Sequence, residues 1–115
     1  MPETTIRIFR DEEGSVPLLD WLAELQARNQ KAFEKCLYLL DLLSAFGREL
    51  RRPRADYLRD GVYELRTQVR GVNYRILYGF VGQDVVLVSH GITKRRSVPS
   101  SEIDRAVRRL ELYRR

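Results

Sequence analysis

The sequence is poor in the residues that build covalently or metal-stabilised folds. Cys36 is the only cysteine and His90 the only histidine, which excludes a disulfide scaffold and a zinc site of cysteines and histidines. Glycine-rich phosphate loops and Ser-His-Asp arrangements are also missing. We therefore expect neither a metal nor a small-molecule cofactor. The helical spacing of apolar residues around Cys36 indicates that this thiol lies in the core.

Long apolar runs are missing too. The most apolar stretch, residues 33–46, is interrupted by charged residues, whereas a membrane span needs about 20 consecutive, mostly apolar residues. The first nine residues contain Glu3 and Arg7 and do not resemble a signal peptide. These observations predict a cytoplasmic protein that does not associate with membranes.

Charge is distributed unevenly along the chain. Residues 1–47 have a net charge of −3 and residues 48–115 a net charge of +8, and 18 of the 21 basic residues are arginines. Arginine offers a planar set of N–H donors that fits phosphate oxygens in pairs. The second part therefore favours a polyanionic partner, most simply a nucleic acid. The alternative is an ordinary solvated surface.

At 115 residues the chain has the length of a single domain, which we take as 1–115. Apolar periodicity predicts the order β-α-α-β-β-β-α, an α+β domain in which a helical hairpin and a C-terminal helix pack on an antiparallel meander. The first predicted element is a strand over Thr4–Phe9, and the next is a helix capped by Ser15 whose inward-facing residues are Leu18, Trp21, Leu22 and Leu25. A second helix is capped by Asn29 and ended by Gly47, and its inward-facing residues are Phe33, Cys36, Leu37, Leu40 and Leu43. Strands over Val62–Val69, Val72–Phe80 and Val85–His90 follow, and Pro99 opens the last helix. Residues 48–60 are predicted to be an irregular connector and residues 92–97 a basic loop.

The short turns between the predicted strands fix which residues face each other. If Arg70 and Gly71 form a two-residue turn, Arg66 lies opposite Arg75. If Gly82 and Gln83 form the next turn, Arg75 lies opposite His90. Arg66, Arg75 and His90 then form a row across three strands, and Lys94 follows in the basic loop.

Like charges on directly opposed residues destabilise a sheet by a few tenths to roughly 1 kcal/mol. A bound phosphate would compensate the repulsion between Arg66 and Arg75, and the pair would stabilise charge that develops on phosphorus. The alternative is a surface ladder neutralised by Glu64 and nearby acids. A lone histidine such as His90 is also compatible with a purely structural role.

Four segments in order resemble a known family. They are Leu58-Arg59-Asp60-Gly61-Val62-Tyr63-Glu64-Leu65-Arg66, Tyr74-Arg75-Ile76-Leu77-Tyr78, His90-Gly91-Ile92-Thr93-Lys94 and Pro99-Ser100-Ser101-Glu102-Ile103. In this order and spacing the chain resembles the phage-derived, HigB-like toxins of the RelE/ParE superfamily, whose members belong to type II toxin–antitoxin modules.

The resemblance implies a RelE-like fold and cleavage of messenger RNA in the A site of the 30S ribosomal subunit, without a metal ion. It also implies a cognate antitoxin that carries a helix-turn-helix domain, as HigA-like antitoxins do. By motif position, Arg66, Arg75 and Lys94 correspond to the basic residues that act on RNA. The reaction also needs a base, and the sequence does not choose between His90 and Glu64 for this role. Two alternatives stay open, which are a ParE-like inhibitor of gyrase and a non-catalytic module that binds RNA or protein.

Further arginines are expected to contact RNA phosphates. These are Arg54 in the connector, Arg70 in the first turn, and Arg95 and Arg96 in the basic loop. After Lys94 the chain departs from the family pattern of a second lysine, a third lysine and a threonine, because it has Arg95, Ser97 and Val98 in those places. Arginine keeps the positive charge but does not readily give up a proton.

Overall fold

The computed structural model describes residues 3–94 and 96–114, and within them five strands form one mixed sheet with three α-helices. The elements are β1 (Thr5–Ile8), α1 (Pro17–Arg28), α2 (Gln30–Phe46), β2 (Ala55–Arg59), β3 (Val62–Val69), β4 (Val72–Gly82), β5 (Val85–Lys94) and α3 (Ser100–Arg114), with a short 3-10 turn at Gly47–Glu49. The strand order is β1-β5-β4-β3-β2, with β1 parallel to β5 and the other neighbours antiparallel. The α+β class, the helical hairpin and the C-terminal helix are as predicted.

The hairpin of α1 and α2 forms because two apolar helix faces meet at a tight junction. Asn29 ends α1 and caps α2, with its side-chain oxygen accepting the N–H of Ala32 at 3.1 Å, as predicted. The predicted cap at Ser15 is wrong, because the first cap position is Val16 and the Ser15 N–H instead donates to the Asp11 carboxylate.

The buried face of α2 is rotated relative to the predicted one, most clearly at Leu37 and Leu39. Cys36 and Leu43 are fully buried, as expected from the spacing. Leu37, which was predicted to point inward, is 39% exposed, and Leu39 takes its place in the core at 2%. Leucines occupy positions 37, 39 and 40, so the sequence alone does not decide how far the apolar stripe is rotated about the helix axis.

The helices cover both faces of the sheet. Ile76 and Tyr78 on β4 pack with the α1–α2 hairpin, whereas Leu77 between them packs with Ile103 and Leu110 of α3. Since successive side chains of a strand point to opposite faces, the hairpin and α3 lie on opposite sides of the sheet. The face under α3 is the one that carries the candidate site.

The β3–β4 hairpin has the predicted register. Arg70 and Gly71 form the turn with φ angles of +51° and +81°, as two-residue hairpin turns require. Arg66 pairs with Arg75 as predicted, and the same register pairs Tyr63 with Tyr78, Leu65 with Ile76 and Val69 with Val72.

The β4–β5 hairpin corrects the predicted register. The turn residues are Gln83 and Asp84 rather than Gly82 and Gln83, and the register shifts at Val81 and again at Ser89. Arg75 therefore pairs with Ile92 instead of His90, and His90 pairs with Leu77. Moving the turn by one residue displaces the pairing by two positions, and the two register shifts cancel because one adds a residue to β4 and the other to β5. His90 therefore keeps the face of Arg75 but lies two pairs farther along the sheet.

Two segments predicted to be irregular contain strand. Ala55–Arg59 within the expected connector is β2, an edge strand paired with β3, and β5 continues through Lys94 into the expected basic loop. The arginines around Pro53 made this segment look irregular. An edge strand tolerates charged residues and a nearby proline, because it is paired on one side only, and β2 is such a strand. None of the helices in the described ranges is long and apolar enough to cross a membrane.

Candidate nucleic-acid interface

The predicted pair of arginines lies at the end of the sheet that α3 leaves open. Arg66 and Arg75 line a groove of about 420 Å³, which we call the arginine groove. Its lining residues are Pro53, Arg54, Arg66, Thr67, Gln68, Asn73 and Arg75. The side chain of Arg66 is 36% exposed, whereas that of Arg75 is only 8% exposed. The two cations therefore differ in role, because one is open to solvent and the other is fixed in the wall.

Glu64 holds the buried arginine in place. Its side chain is 5% exposed, with Oε1 2.9 Å from Arg75 Nε and Oε2 3.9 Å from Arg66 NH1. The Arg75 contact is an ion pair rather than an aligned hydrogen bond, since neither of these two atoms has a hydrogen-bond partner. Burial raises the pKa of Glu64, and the two arginines oppose that effect. One carboxylate thus offsets part of the repulsion between two cations, as the alternative interpretation of the sequence anticipated.

Arg75 also fixes the chain that leads into α3. Its NH1 group donates to the backbone carbonyl of Arg96, so one guanidinium joins β4, Glu64 and the β5–α3 connector. The side chain of Arg96 is exposed. A wall residue of the arginine groove therefore also holds the connector that leads into α3.

The other predicted phosphate contacts are only partly brought together. Arg54 lines the arginine groove, with its Cζ 5.3 Å from the ring centre of Tyr38. Arg70 lies exposed in the β3–β4 turn and is not among the lining residues. The backbone of Lys94 pairs with Asn73, which does line the groove, but the Lys94 side chain and the whole of Arg95 lie outside the described part of the chain.

His90 lies beneath α3 and is 5% exposed. Its Nε2 is 2.9 Å from Glu102 Oε1, and its Nδ1 is 2.6 Å from Ser89 Oγ and 3.2 Å from Arg109 NH1. Burial lowers the pKa of His90, despite its hydrogen bond to the Glu102 carboxylate, which acts in the opposite direction. Both ring nitrogens are engaged within the protein, so this histidine joins β5 to α3 and does not open onto the arginine groove.

Sequence reasoning missed the amides of the groove. Gln68 and Asn73 are paired across β3 and β4, two positions beyond Arg66 and Arg75 on the same face. That alternation is a signal that the sequence contained, because the Arg70-Gly71 turn had already fixed the pairing. Amide side chains next to a cationic pair supply neutral hydrogen-bond donors and acceptors for a polar ligand.

The chemistry of the groove is that of anion binding. Three arginines line it and none of the seven lining residues is acidic, so the field there favours a phosphate. Within 3–94 and 96–114, no three His, Cys, Asp or Glu side chains are grouped so that they could hold a metal ion.

The sequence matches a known family. The model of a family described as phage-derived protein Gp49-like (DUF891) matches residues 20–111, a range that includes the whole arginine groove and all three helices except the first residues of α1 and the last of α3. No curated protein matches the sequence.

Proposed function

Because the chain belongs to the Gp49-like family of phage-derived proteins, which is associated with the toxins of toxin–antitoxin systems, we propose that it is a toxin that cleaves messenger RNA on the ribosome. The proposed site of action is the A site of the 30S subunit, and the proposed consequence is the arrest of translation in the cytoplasm. The finer assignment within the family, to HigB-like toxins, is part of this proposal.

The observation that carries the proposal is the pairing of Arg66 with Arg75 in an open groove. Two cations on directly opposed residues cost stability in the free protein. Only one nearby carboxylate, that of Glu64, is within ion-pair distance of them among the described residues. A phosphodiester in the groove supplies the missing negative charge and gains hydrogen bonds from Arg66 in return.

The reaction that fits this groove is attack by a ribose 2′-hydroxyl on its own adjacent phosphorus. A new bond forms between the 2′-oxygen and phosphorus, and the bond to the 5′-oxygen of the next nucleotide breaks. The products are a 2′,3′-cyclic phosphate and a free 5′-hydroxyl. Arg66 binds the phosphate from the open side, and Arg75, held by Glu64, stabilises the charge that develops on the phosphorane oxygens.

The described part of the groove offers little acid–base catalysis. Glu64 is buried against Arg75, and His90 is enclosed by Ser89 and Glu102, so neither candidate base faces the groove as a free group. Lys94 is the remaining predicted group and would donate a proton to the leaving 5′-oxygen, while a water molecule takes the proton that the attacking 2′-hydroxyl loses. With acid–base catalysis this limited, positioning of the RNA by the ribosome must supply much of the rate. We therefore expect free RNA to be cleaved poorly.

The engagement of both Glu64 and His90 within the described part of the chain favours a second candidate function, in which the protein binds RNA without cleaving it. Such a protein would have the same salt-dependent affinity, because that depends on the arginines, but would leave messages intact. In either case we propose a cognate antitoxin with a helix-turn-helix domain as the partner that keeps the protein silent.

Induced expression with primer extension on messenger RNA tests the proposal. We expect wild-type protein to stop growth and to produce new message ends in codon register, and Arg66→Ala and Arg75→Ala to lose both effects. Arg108→Ala, at an exposed arginine of α3, is the matched control and should behave as wild type. Growth arrest with intact messages would contradict cleavage, and accompanying gyrase-dependent DNA breaks would instead support a ParE-like activity. Circular dichroism of each purified variant verifies that it is folded.

A further inference from the structure

A second basic groove lies beside the first, at the edge of the sheet formed by β2. Its volume is about 570 Å³, and we call it the tyrosine groove after Tyr57 and Tyr63, which line it. Arg48, Arg51 and Arg52 also line it, against one acidic residue, Asp56. Nothing in the proposed reaction uses these side chains.

Tyr57 is an exposed aromatic ring that the fold nevertheless holds in place. It is 53% exposed, although large aromatic side chains usually bury most of their surface. Its hydroxyl accepts the backbone N–H of Gly61 at 3.0 Å, and its ring meets that of Tyr63 at an angle of 69° with 5.0 Å between ring centres. A fixed, open ring of this kind loses little conformational entropy when a flat ligand stacks on it.

The three arginines differ in how free they are. Arg48 is fixed, since its guanidinium lies 4.0 Å from the ring centre of Phe80 and donates to the carbonyls of Gly82 and Gln83. Arg51 is exposed and uses one nitrogen on the carbonyl of Arg48. Arg52 is 75% exposed and pairs with Asp56 at 3.0 Å, an exposed contact that a phosphate can replace at small cost.

The two basic grooves lie next to each other at the β2 edge, on opposite faces of the sheet. Arg51 and Arg52 line the tyrosine groove, and Pro53 and Arg54, which follow directly, line the arginine groove. Tyr63 and Arg66 of β3 point to opposite faces of the sheet, because they are three residues apart. A flexible chain that lies in one groove can therefore cross the β2 edge into the other.

The groove at the other end of the sheet has the opposite charge. It lies beside β1 and is lined by Asp11, Glu12 and Glu13 with one arginine, Arg10. A negatively charged ligand is repelled there and attracted at the β2 edge. Charge complementarity thus selects the tyrosine groove rather than the β1 groove for a polyanion.

From this arrangement we propose that the tyrosine groove binds single-stranded RNA, with one base stacked on Tyr57 and backbone phosphates on Arg51 and Arg52. Exposed rings beside cationic side chains are the usual means by which proteins hold unpaired bases. The inference deepens the proposed function and rests on it, because RNA in the arginine groove continues over the β2 edge. The bound strand is either the message beyond the cleavage point or an unpaired stretch of ribosomal RNA.

Binding of a fluorescently labelled, unstructured RNA of twelve nucleotides tests the inference without requiring cleavage. We expect Tyr57→Leu to weaken binding about tenfold, which corresponds to about 1.4 kcal/mol and lies within the range measured for one stacked base. Tyr113→Leu is the matched control, at a 45% exposed tyrosine of α3, and should bind as wild type. Tyr57→Phe keeps the ring and loses only the bond from Gly61, so it should bind nearly as wild type.

Two further measurements separate stacking from general charge. The same RNA annealed into a duplex has no unpaired base to offer, so Tyr57→Leu and wild type should bind it equally. Replacing both Arg51 and Arg52 by alanine should reduce the slope of log K against log salt by about 1.4, since each phosphate contact on a single strand contributes roughly 0.7. Equal binding of the twelve-nucleotide RNA by wild type and Tyr57→Leu, or no binding by wild type at low salt, would overturn the inference.

A photoreactive amino acid at position 57, in ribosome complexes with message bound, identifies the source of the strand. Crosslinks to the message or to ribosomal RNA each support the inference and name the strand, whereas crosslinks to neither overturn it. The outcome is independent of the proposed cleavage. Loss of cleavage in Arg66→Ala with no effect of Tyr57→Leu on binding leaves the nuclease proposal intact. Weaker binding by Tyr57→Leu, together with no cleavage by wild type, leaves an RNA-binding protein that does not cleave.

Discussion

Gly91 provides the sharpest test of the packing that supports the site. It lies on β5 between His90 and Ile92, and a Cβ added there would stand 2.1, 2.3 and 2.5 Å from three ring atoms of Trp21. Real Cβ atoms do not approach other heavy atoms so closely. Gly91→Ala must therefore push the indole off the sheet and break the 3.1 Å hydrogen bond from Trp21 Nε1 to Thr93 Oγ1.

The cost has two parts. Overpacking of this kind typically destabilises a protein by about 1–3 kcal/mol, and loss of the indole hydrogen bond adds about 1 kcal/mol. We expect the free energy of unfolding to fall by about 2–4 kcal/mol. For 115 residues the entropy of unfolding is about 0.24 kcal/mol/K, so Tm should fall by roughly 8–17 °C in a calorimeter. Trp21 is the only tryptophan, and its emission should shift to longer wavelength as the ring becomes more exposed.

A double-mutant cycle tests the reasoning. All three atoms nearest to the added Cβ belong to Trp21, so Gly91→Ala in a Trp21→Leu background should cost less than about 0.5 kcal/mol. Gly82→Ala is the control within the sheet, because its Cβ would be 3.4 Å from its nearest neighbours. An equal loss of stability by Gly91→Ala with and without Trp21 would refute the proposed contact.

Three further outcomes follow from the same structure. Asn29→Ala should lower the free energy of unfolding by about 1 kcal/mol, or Tm by roughly 4 °C, because α2 loses its cap, and Asn29→Ser should restore most of it. Burial holds the pKa of His90 below its usual 6.5, so the folded state binds a proton there less readily than the unfolded state does. The stability that depends on a neutral His90 is therefore complete above about pH 6.5 and decreases as the pH falls below that value. Chemical unfolding from pH 7.5 to 5.5 should show this dependence in wild type and a weaker one in His90→Gln. Burial raises the pKa of Cys36 to about 12, so a thiol reagent at pH 8 should modify it about 1,000-fold or more slowly than in denaturant, and fast modification of folded protein would contradict its burial.

Local turn chemistry made the β3–β4 hairpin predictable. A two-residue turn of Arg70 and Gly71 fixes the pairing over the whole hairpin, and an alternating pattern of apolar residues then assigns each side chain to a face. The opposition of Arg66 and Arg75 followed directly from those two rules. The predicted cap at Asn29 succeeded for a similar reason, since an N-cap depends on contacts within one turn of helix.

Features that depend on distant packing were not predictable. The β4–β5 turn lies one residue later than predicted, and this displacement moved His90 two pairs away from Arg75. The register shifts at Val81 and Ser89 cancel each other and leave no mark in the sequence, because valine and serine are ordinary strand residues. β2 was missed because its strand is short and follows Pro53, and only the neighbouring β3 reveals it.

The roles of the residues in the candidate site depend on how deeply each side chain is buried, which a sequence pattern does not give. The sequence brought Glu64, Arg66 and Arg75 to one face but did not reveal that Glu64 and Arg75 are buried while Arg66 is open. Nor did it reveal that α3 encloses His90 through Glu102. Burial arises from which elements cover a face, and that is a property of the assembled fold.

The separation of acidic and basic grooves to opposite edges of the sheet gives the molecule an electric dipole. The longest dimension is 38 Å, whereas the screening length at physiological salt is about 8 Å, so each end responds to its own surroundings. Near a polyanion the β2 end is attracted, and the β1 end lies too far away for its repulsion to cancel that attraction. The protein therefore rotates before contact and arrives with both basic grooves foremost, which shortens the search for a productive orientation at low salt more than at high salt.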